Sequence, residues 1–137
     1  MDLHETLYRK LKIVIPTLPE IPEYAKSTVP GLMDLNLDLL SRDDEIITVA
    51  LSHYYEQNGD LIPDPDMVIR IDTKTETVEG LTFQDTYTYR EVYPKRGQED
   101  VKAKKELNEF LLQWLTNLIG QGHKLVTVDI VSAATDL

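Results

Sequence analysis

The sequence predicts an α+β two-layer sandwich: an antiparallel β-meander of about five strands, with an N-terminal helix and a long C-terminal helix packed on one face. Three observations predict it. Apolar residues recur at steps of three and four at both ends of the chain (Leu3, Leu7, Leu11, Val14; Leu107, Phe110, Leu111, Trp114, Leu115, Leu118). Between those ends, apolar and polar residues alternate with the period of two that marks a half-buried strand. In the middle sits Asn58-Gly59, a strong hairpin signal, because both central residues of a type I′ turn need positive φ. A run of strands flanked by helices is the α+β pattern.

Each element has its own local reason. Asp2 and Glu5 have the spacing of a capping box, so the first helix should run from about Leu3 to Val14, where Pro16 stops it. Pro16, Pro19, Pro22 and Pro30 lack amide protons, which suggests that residues 16–31 form an extended, irregular connector. Met33, Leu35, Leu37 and Leu39 alternate with polar residues in a first strand, and Arg42 to Asp44 makes a turn. Ile47, Val49, Leu51 and His53 define the inner stripe of a second strand.

Register tests the hairpin. A plain two-residue loop would set Ile47 against Arg70 and Leu51 against Asp66, placing charge on the core stripe. One extra residue on the later strand pairs Leu51 with Met67, Val49 with Ile69 and Ile47 with Ile71. A bulge is therefore expected within Ile62 to Asp66, where Pro63 and Pro65 cannot donate ladder hydrogen bonds. Thr77 to Gln84 and Thr86 to Tyr93 read as two further strands. Glu99 to Ile119 reads as the long helix, ended by Gly120 and Gly122. Val126, Val128 and Ile130 suggest a last short strand, and residues 132–137 a frayed tail. The whole chain, 1–137, reads as one α+β domain.

Composition narrows the function. The 137 residues include 14 basic and 24 acidic ones, for a net charge of −10. That surface repels phosphate backbones and disfavours nucleic-acid binding. The basic group Lys102, Lys104 and Lys105, with Lys95 and Arg96, is diluted by Glu99, Asp100 and Glu106, and reads as a solvated helix face. The chain has no cysteine, so disulfides, thiolate zinc sites and thiol nucleophiles are excluded. The expectation is a cytoplasmic protein with no signal peptide and no membrane span.

The densest group of chemistry-bearing residues lies between Ser52 and Asp72. His53, Glu56, Asp64 and Asp66 are candidate ligands for a divalent metal, the one cofactor the sequence suggests. The structural alternative is a polar hairpin end, with the acids as turn residues beside prolines. Pro65-Asp66 followed by Asp72-Thr73-Lys74 matches a nuclease pattern literally. Six residues along one strand, at ~3.3 Å each, separate its acids by about 20 Å, too far to share an ion. Ser52 and His53 are adjacent on a strand and point to opposite faces, so they make no nucleophile–base pair. Tyr87, Tyr89 and Tyr93 are candidate interaction residues, since tyrosine joins apolar area to a polar tip.

The segment LSHYYEQNGDLIPDPDMVIRI, the later REVYP and the helix ELNEFLLQWLTNLIGQGH together resemble a family of small bacterial and mobile-element proteins catalogued as a domain of unknown function. A more distant similarity is to a bacterial family with a strand meander ending in Tyr-Pro and a helix of the Asn-x-Phe-Leu-x-x-Trp-Leu kind, here Asn108, Phe110, Leu111, Trp114 and Leu115. The resemblance covers about Leu51 to His123. It implies a compact cytoplasmic domain whose shared residues are structural, and brings no activity, cofactor or catalytic residue. Three functions are therefore expected in turn: a non-enzymatic protein-interaction domain, binding a partner or a second copy; a metal-binding module or small metal-dependent enzyme; and an acidic mimic of DNA.

Overall fold

The structure is a computed structural model and describes residues 2–126. Helix α1 spans Leu3–Val14 and α2 spans Val101–Gln121; between them lie β1 (Tyr24–Ser27), β2 (Leu35–Asp43), β3 (Ile46–Gln57), β4 (Asp60–Asp72), β5 (Thr77–Gln84) and β6 (Tyr89–Glu91). The strands form one antiparallel sheet in sequence order, β1 to β6. Both helices pack on the same face, and their buried residues join those of the sheet in one continuous apolar core. The fold is the α+β sandwich the sequence implies.

The helix ends follow from their caps. Asp2 accepts from the Glu5 amide while Glu5 reaches back to the Asp2 amide, so the capping box is complete. Asp100 caps α2 by accepting from Ala103 N at 2.9 Å. Gly122 ends α2 at φ 88°, and its N–H returns to the last carbonyls of the helix. None of the described helices is long and apolar enough to cross a membrane.

The β3–β4 hairpin has the bulged register. Ile47 faces Ile71, Val49 faces Ile69 and Leu51 faces Met67, and all six are almost fully buried. Gln57 faces Asp60 across Asn58 and Gly59, whose φ angles are 54° and 86°. Ser52 pairs with Asp66 and Tyr54 with Pro63, so Asp64 and Pro65 together oppose His53. The extra residue restores inward orientation to every apolar residue beyond it.

Four expectations need correction. Six strands are present, because Tyr24–Ser27 inside the proline-rich connector pairs with β2. These four residues carry no proline, and Ala25 and Ser27 alternate inward. Leu18 and Ile21 are also buried, so residues 16–31 build core rather than only wrapping it. β2 starts at Leu35 and runs through Asp43, leaving Met33 exposed; the turn is Asp44-Glu45, with Asp44 at φ 53°. The last strand of the meander shrinks to Tyr89–Glu91, because the Asp85 carboxylate takes the amides of Tyr87 and Thr88 and makes a turn there. The expected strand at Val126, Val128 and Ile130 and the tail 132–137 fall at or beyond the end of the described residues.

One buried side chain of α2 is bonded to both backbone groups of a single strand residue. Asn108 on α2 is 1% exposed. Its Oδ1 accepts from Gly80 N at 2.7 Å, and its Nδ2 donates to Gly80 O at 3.3 Å and to Lys104 O at 2.8 Å. β4 flanks Gly80 on one side, and β6 on the other reaches only Thr82 to Gln84, so the carboxamide serves the β5 backbone on the side that β6 leaves open. Gly80 is needed for the approach: a Cβ there would stand 3.0 Å from Met67 Cε and 3.5 Å from Asn108 Oδ1. Replacing Asn108 by Ala strands a buried N–H, and chemical denaturation should show a loss of about 1–3 kcal/mol. A loss under ~0.5 kcal/mol, within the range of ordinary surface substitutions, would deny the contact its role.

Candidate functional site

The helices cover one face of the sheet and leave the other open. On the open face the register aligns Lys26, Asn36, Ser52, Asp66, Gln84 and Tyr89 in one cross-strand row. The next row holds Tyr24, Asp38, Ala50, Val68, Thr82 and Glu91. An antiparallel sheet with one solvated face ordinarily shows scattered small and charged residues there. This one carries tyrosines held by their own hydroxyls. Tyr24 donates to Asn36 Oδ1 at 3.1 Å, Tyr54 to Asp66 Oδ2 at 2.8 Å and Tyr89 to Glu91 Oε2 at 3.3 Å. Burial, followed by the bond to Asp66, pushes the Tyr54 phenol above its ordinary range, and the charges of Asp66 and Asp38 add to that.

Tyr24, Asn36, Asp38, Tyr54 and Leu61, with Lys26 and Asp34, line a cleft of about 370 Å³ on this face. Lys26 and Asp34 stand 3.8 Å apart as a loose, exposed pair. Among the described residues, neither Asp38 nor Asp66 forms an ion pair. The cleft is therefore aromatic on its walls and acidic in charge.

The four candidate metal ligands are separated by the pleat. His53 points into the core, 7% exposed, with Nδ1 donating to Asp34 O at 2.8 Å. Its ring meets Trp114 edge-on at 5.5 Å. Asp66 lies on the opposite face under Tyr54. Asp64 is exposed in the bulge and Glu56 is exposed near the hairpin tip. Among the described residues no three His, Asp or Glu side chains gather closely enough to hold an ion. The three candidate interaction tyrosines also divide. Tyr89 belongs to the open face, Tyr87 projects from a turn at 93% exposure, and Tyr93 donates to Glu79 Oε2 at 2.6 Å.

Two polar clusters escape the sequence reading. Glu79 is 7% exposed; it is ion-paired with Arg70, takes the Tyr93 hydroxyl and has Lys104 Nζ at 3.7 Å. It borders a second cleft, of about 400 Å³, with His4, Arg70 and Asp72. His4 Nδ1 donates to Val78 O at 2.9 Å. The carboxylate is consumed by its partners, so the cluster ties β4, β5 and α2 together. Its sequence signal is faint, because Glu79 sits at an ordinary outward position beside Arg70.

The other cluster is Ser27 with His123. Ser27 Oγ accepts from Lys124 N at 2.9 Å and is bonded to His123 Nδ1 at 2.9 Å. His123 Nε2 is buried without a hydrogen-bond partner among the described residues. The His53 and His123 rings stand 5.8 Å apart. Burial first, and the neighbouring His53 second, hold the His123 imidazole below its ordinary value, with Asp34 and the Met33 carbonyl opposing. The cluster joins the segment after α2 to β1 and presents no exposed nucleophile.

These features define an α+β domain with one helix-covered face and one open, tyrosine- and acid-bearing face. Its sequence matches the profile of a family described as a domain of unknown function, DUF6908, over residues 4–124. The chain belongs to that family. The match runs through residues 16–31, so the proline-rich segment is part of the family's domain rather than an addition to it. No curated protein and no solved structure matches the chain.

The His123 shift sets a pH dependence. Its folded value is depressed, so the unfolded chain takes up the proton first as pH falls through about 6.5. Stability is therefore full above that value and declines below it, until the folded imidazole also protonates. The melting temperature should fall between pH 7 and pH 5, and His123→Gln should flatten part of that slope. An unchanged slope in the variant would assign the dependence to other groups.

Proposed function

We propose that this domain is a non-enzymatic protein-binding module that docks a partner on the open face of its sheet. The observation that carries this reading is the set of tyrosines fixed on that face, Tyr24, Tyr54 and Tyr89, each held by a hydroxyl bond within it. Rings already ordered lose little freedom on binding, which is where association is most costly for flexible side chains. Tyrosine also supplies apolar area with a polar tip, the composition of interface cores. Leu61, 69% exposed at the margin, extends the apolar part of the surface.

Charge favours a partner of opposite sign over a second copy. A two-fold pairing of this face would set one acidic surface, carrying Asp38 and Asp66, against a copy of itself. Like charges brought together across an interface oppose it. A basic partner meets the same carboxylates favourably, and the net charge of −10 steers its approach.

Affinity capture with the intact chain, followed by calorimetry with each purified candidate, tests the reading. Leu61→Arg with Tyr89→Ala, both at exposed positions, should weaken a true partner at least about tenfold, the loss of one well-made contact. Ile13→Ala on α1 should leave binding unchanged. Partners that respond to the helix substitution and ignore the sheet substitutions would overturn the open-face assignment.

A further inference from the structure

The cleft between Tyr24 and Tyr54 is built for one kind of group. Resting on the docking reading above, we propose that it receives an arginine side chain from the partner, held between the phenol rings and the Asp38 carboxylate. The walls come from two different elements. Tyr24 stands on β1, its hydroxyl fixed on Asn36 Oδ1 at 3.1 Å, while Tyr54 stands on β3, its hydroxyl fixed on Asp66 Oδ2 at 2.8 Å. The faces of aromatic rings attract cations, and a guanidinium stacks on them while still donating in its own plane.

Acceptors for those donors are present and uncommitted. Asp38 lines the cleft and is not ion-paired among the described residues; Asp66, on β4 outside the lining, is likewise unpaired and adds negative charge beside Tyr54. Asp66 gives one carboxylate oxygen to Tyr54 and keeps the other. The one lysine of the lining, Lys26, lies 3.8 Å from Asp34. A partner cation therefore enters a site with negative charge to spare. A planar fork of donors matches the two oxygens of the Asp38 carboxylate while its face stacks on a phenol ring, which one ammonium cannot do; that selects arginine over lysine.

The other concave sites fit a ligand less well. The cleft beside Glu79 balances its carboxylate with Arg70 and Lys104. The small groove between Phe83 and Phe110 is bridged by the Arg90–Glu106 pair at 2.8 Å.

The test is an NMR titration of the intact ¹⁵N-labelled chain with a blocked, arginine-containing peptide and two counterparts. One counterpart carries lysine and the other citrulline, which keeps arginine's shape without its charge. The arginine peptide should shift the amide signals of residues 24–26, 36–38, 54 and 61. Citrulline should bind about tenfold more weakly or worse, as expected for the loss of a charged hydrogen bond, and lysine should fall between. Asp38→Asn should weaken the arginine peptide several-fold, whereas Glu109→Gln, the same charge change on the exposed side of α2, should not. Equal binding of citrulline, equal loss in both variants, or no shifts at millimolar peptide would each overturn the arginine site. If a partner obtained by capture still maps to Leu61 and Tyr89, the docking reading survives that failure. If the arginine site is confirmed while captured partners ignore those residues, the docking reading fails alone.

Discussion

The layers of this protein are tied together where Asn108 meets Gly80. Apolar packing between helix and sheet is non-directional and would tolerate sliding; a carboxamide bonded to both backbone groups of one strand residue does not. Asn108 fixes the height and rotation of α2 over β5, and so decides which helix residues face the core. Trp114 follows from that placement, as does the edge-on contact of Trp114 with His53. The bond also stands in for a missing strand. Where β6 stops short, the helix side chain serves the β5 backbone, and an edge that could pair with another chain is covered.

The same placement separates the molecule into a committed side and a free one. Both helices lie on one face, and the reactive-looking groups within their reach are engaged: Ser27 with Lys124 N and His123, and Glu79, outward on β5, with Arg70, Tyr93 and Lys104 of α2. The open face has no layer to serve. Its tyrosines and carboxylates hold one another, a costly arrangement for mere solvation and a useful one for recognition. The proposed docking surface and its arginine cleft follow from this division.

Much of the fold is legible in the sequence because its signals are local or self-checking. Asp2 and Glu5 declare the start of α1, Asn58-Gly59 the hairpin tip, and the mismatch of Arg70 against Ile47 requires a bulge that the structure places at Asp64 and Pro65. The site was less legible. His53 and Asp66 are near in sequence, but the pleat sends them to opposite faces. Tyr24 sits among prolines that hide a four-residue strand, so its meeting with Tyr54 depends on two strand pairings that no single segment reveals. Asn108 reads as an ordinary polar position of an amphipathic helix. The short contour of Gly80 in a strand was the available hint that something approaches closely there.

Hydrogen exchange at the Gly80 amide tests the central constraint most directly, since it reads the bond in the intact molecule. With the bond in place, this amide exchanges as slowly as those of the central strands, through global unfolding alone. Exchange as fast as that of the short β6 edge would contradict it, and would leave the register of α2 to apolar packing and the partly exposed Arg90–Glu106 and Lys104–Glu79 pairs.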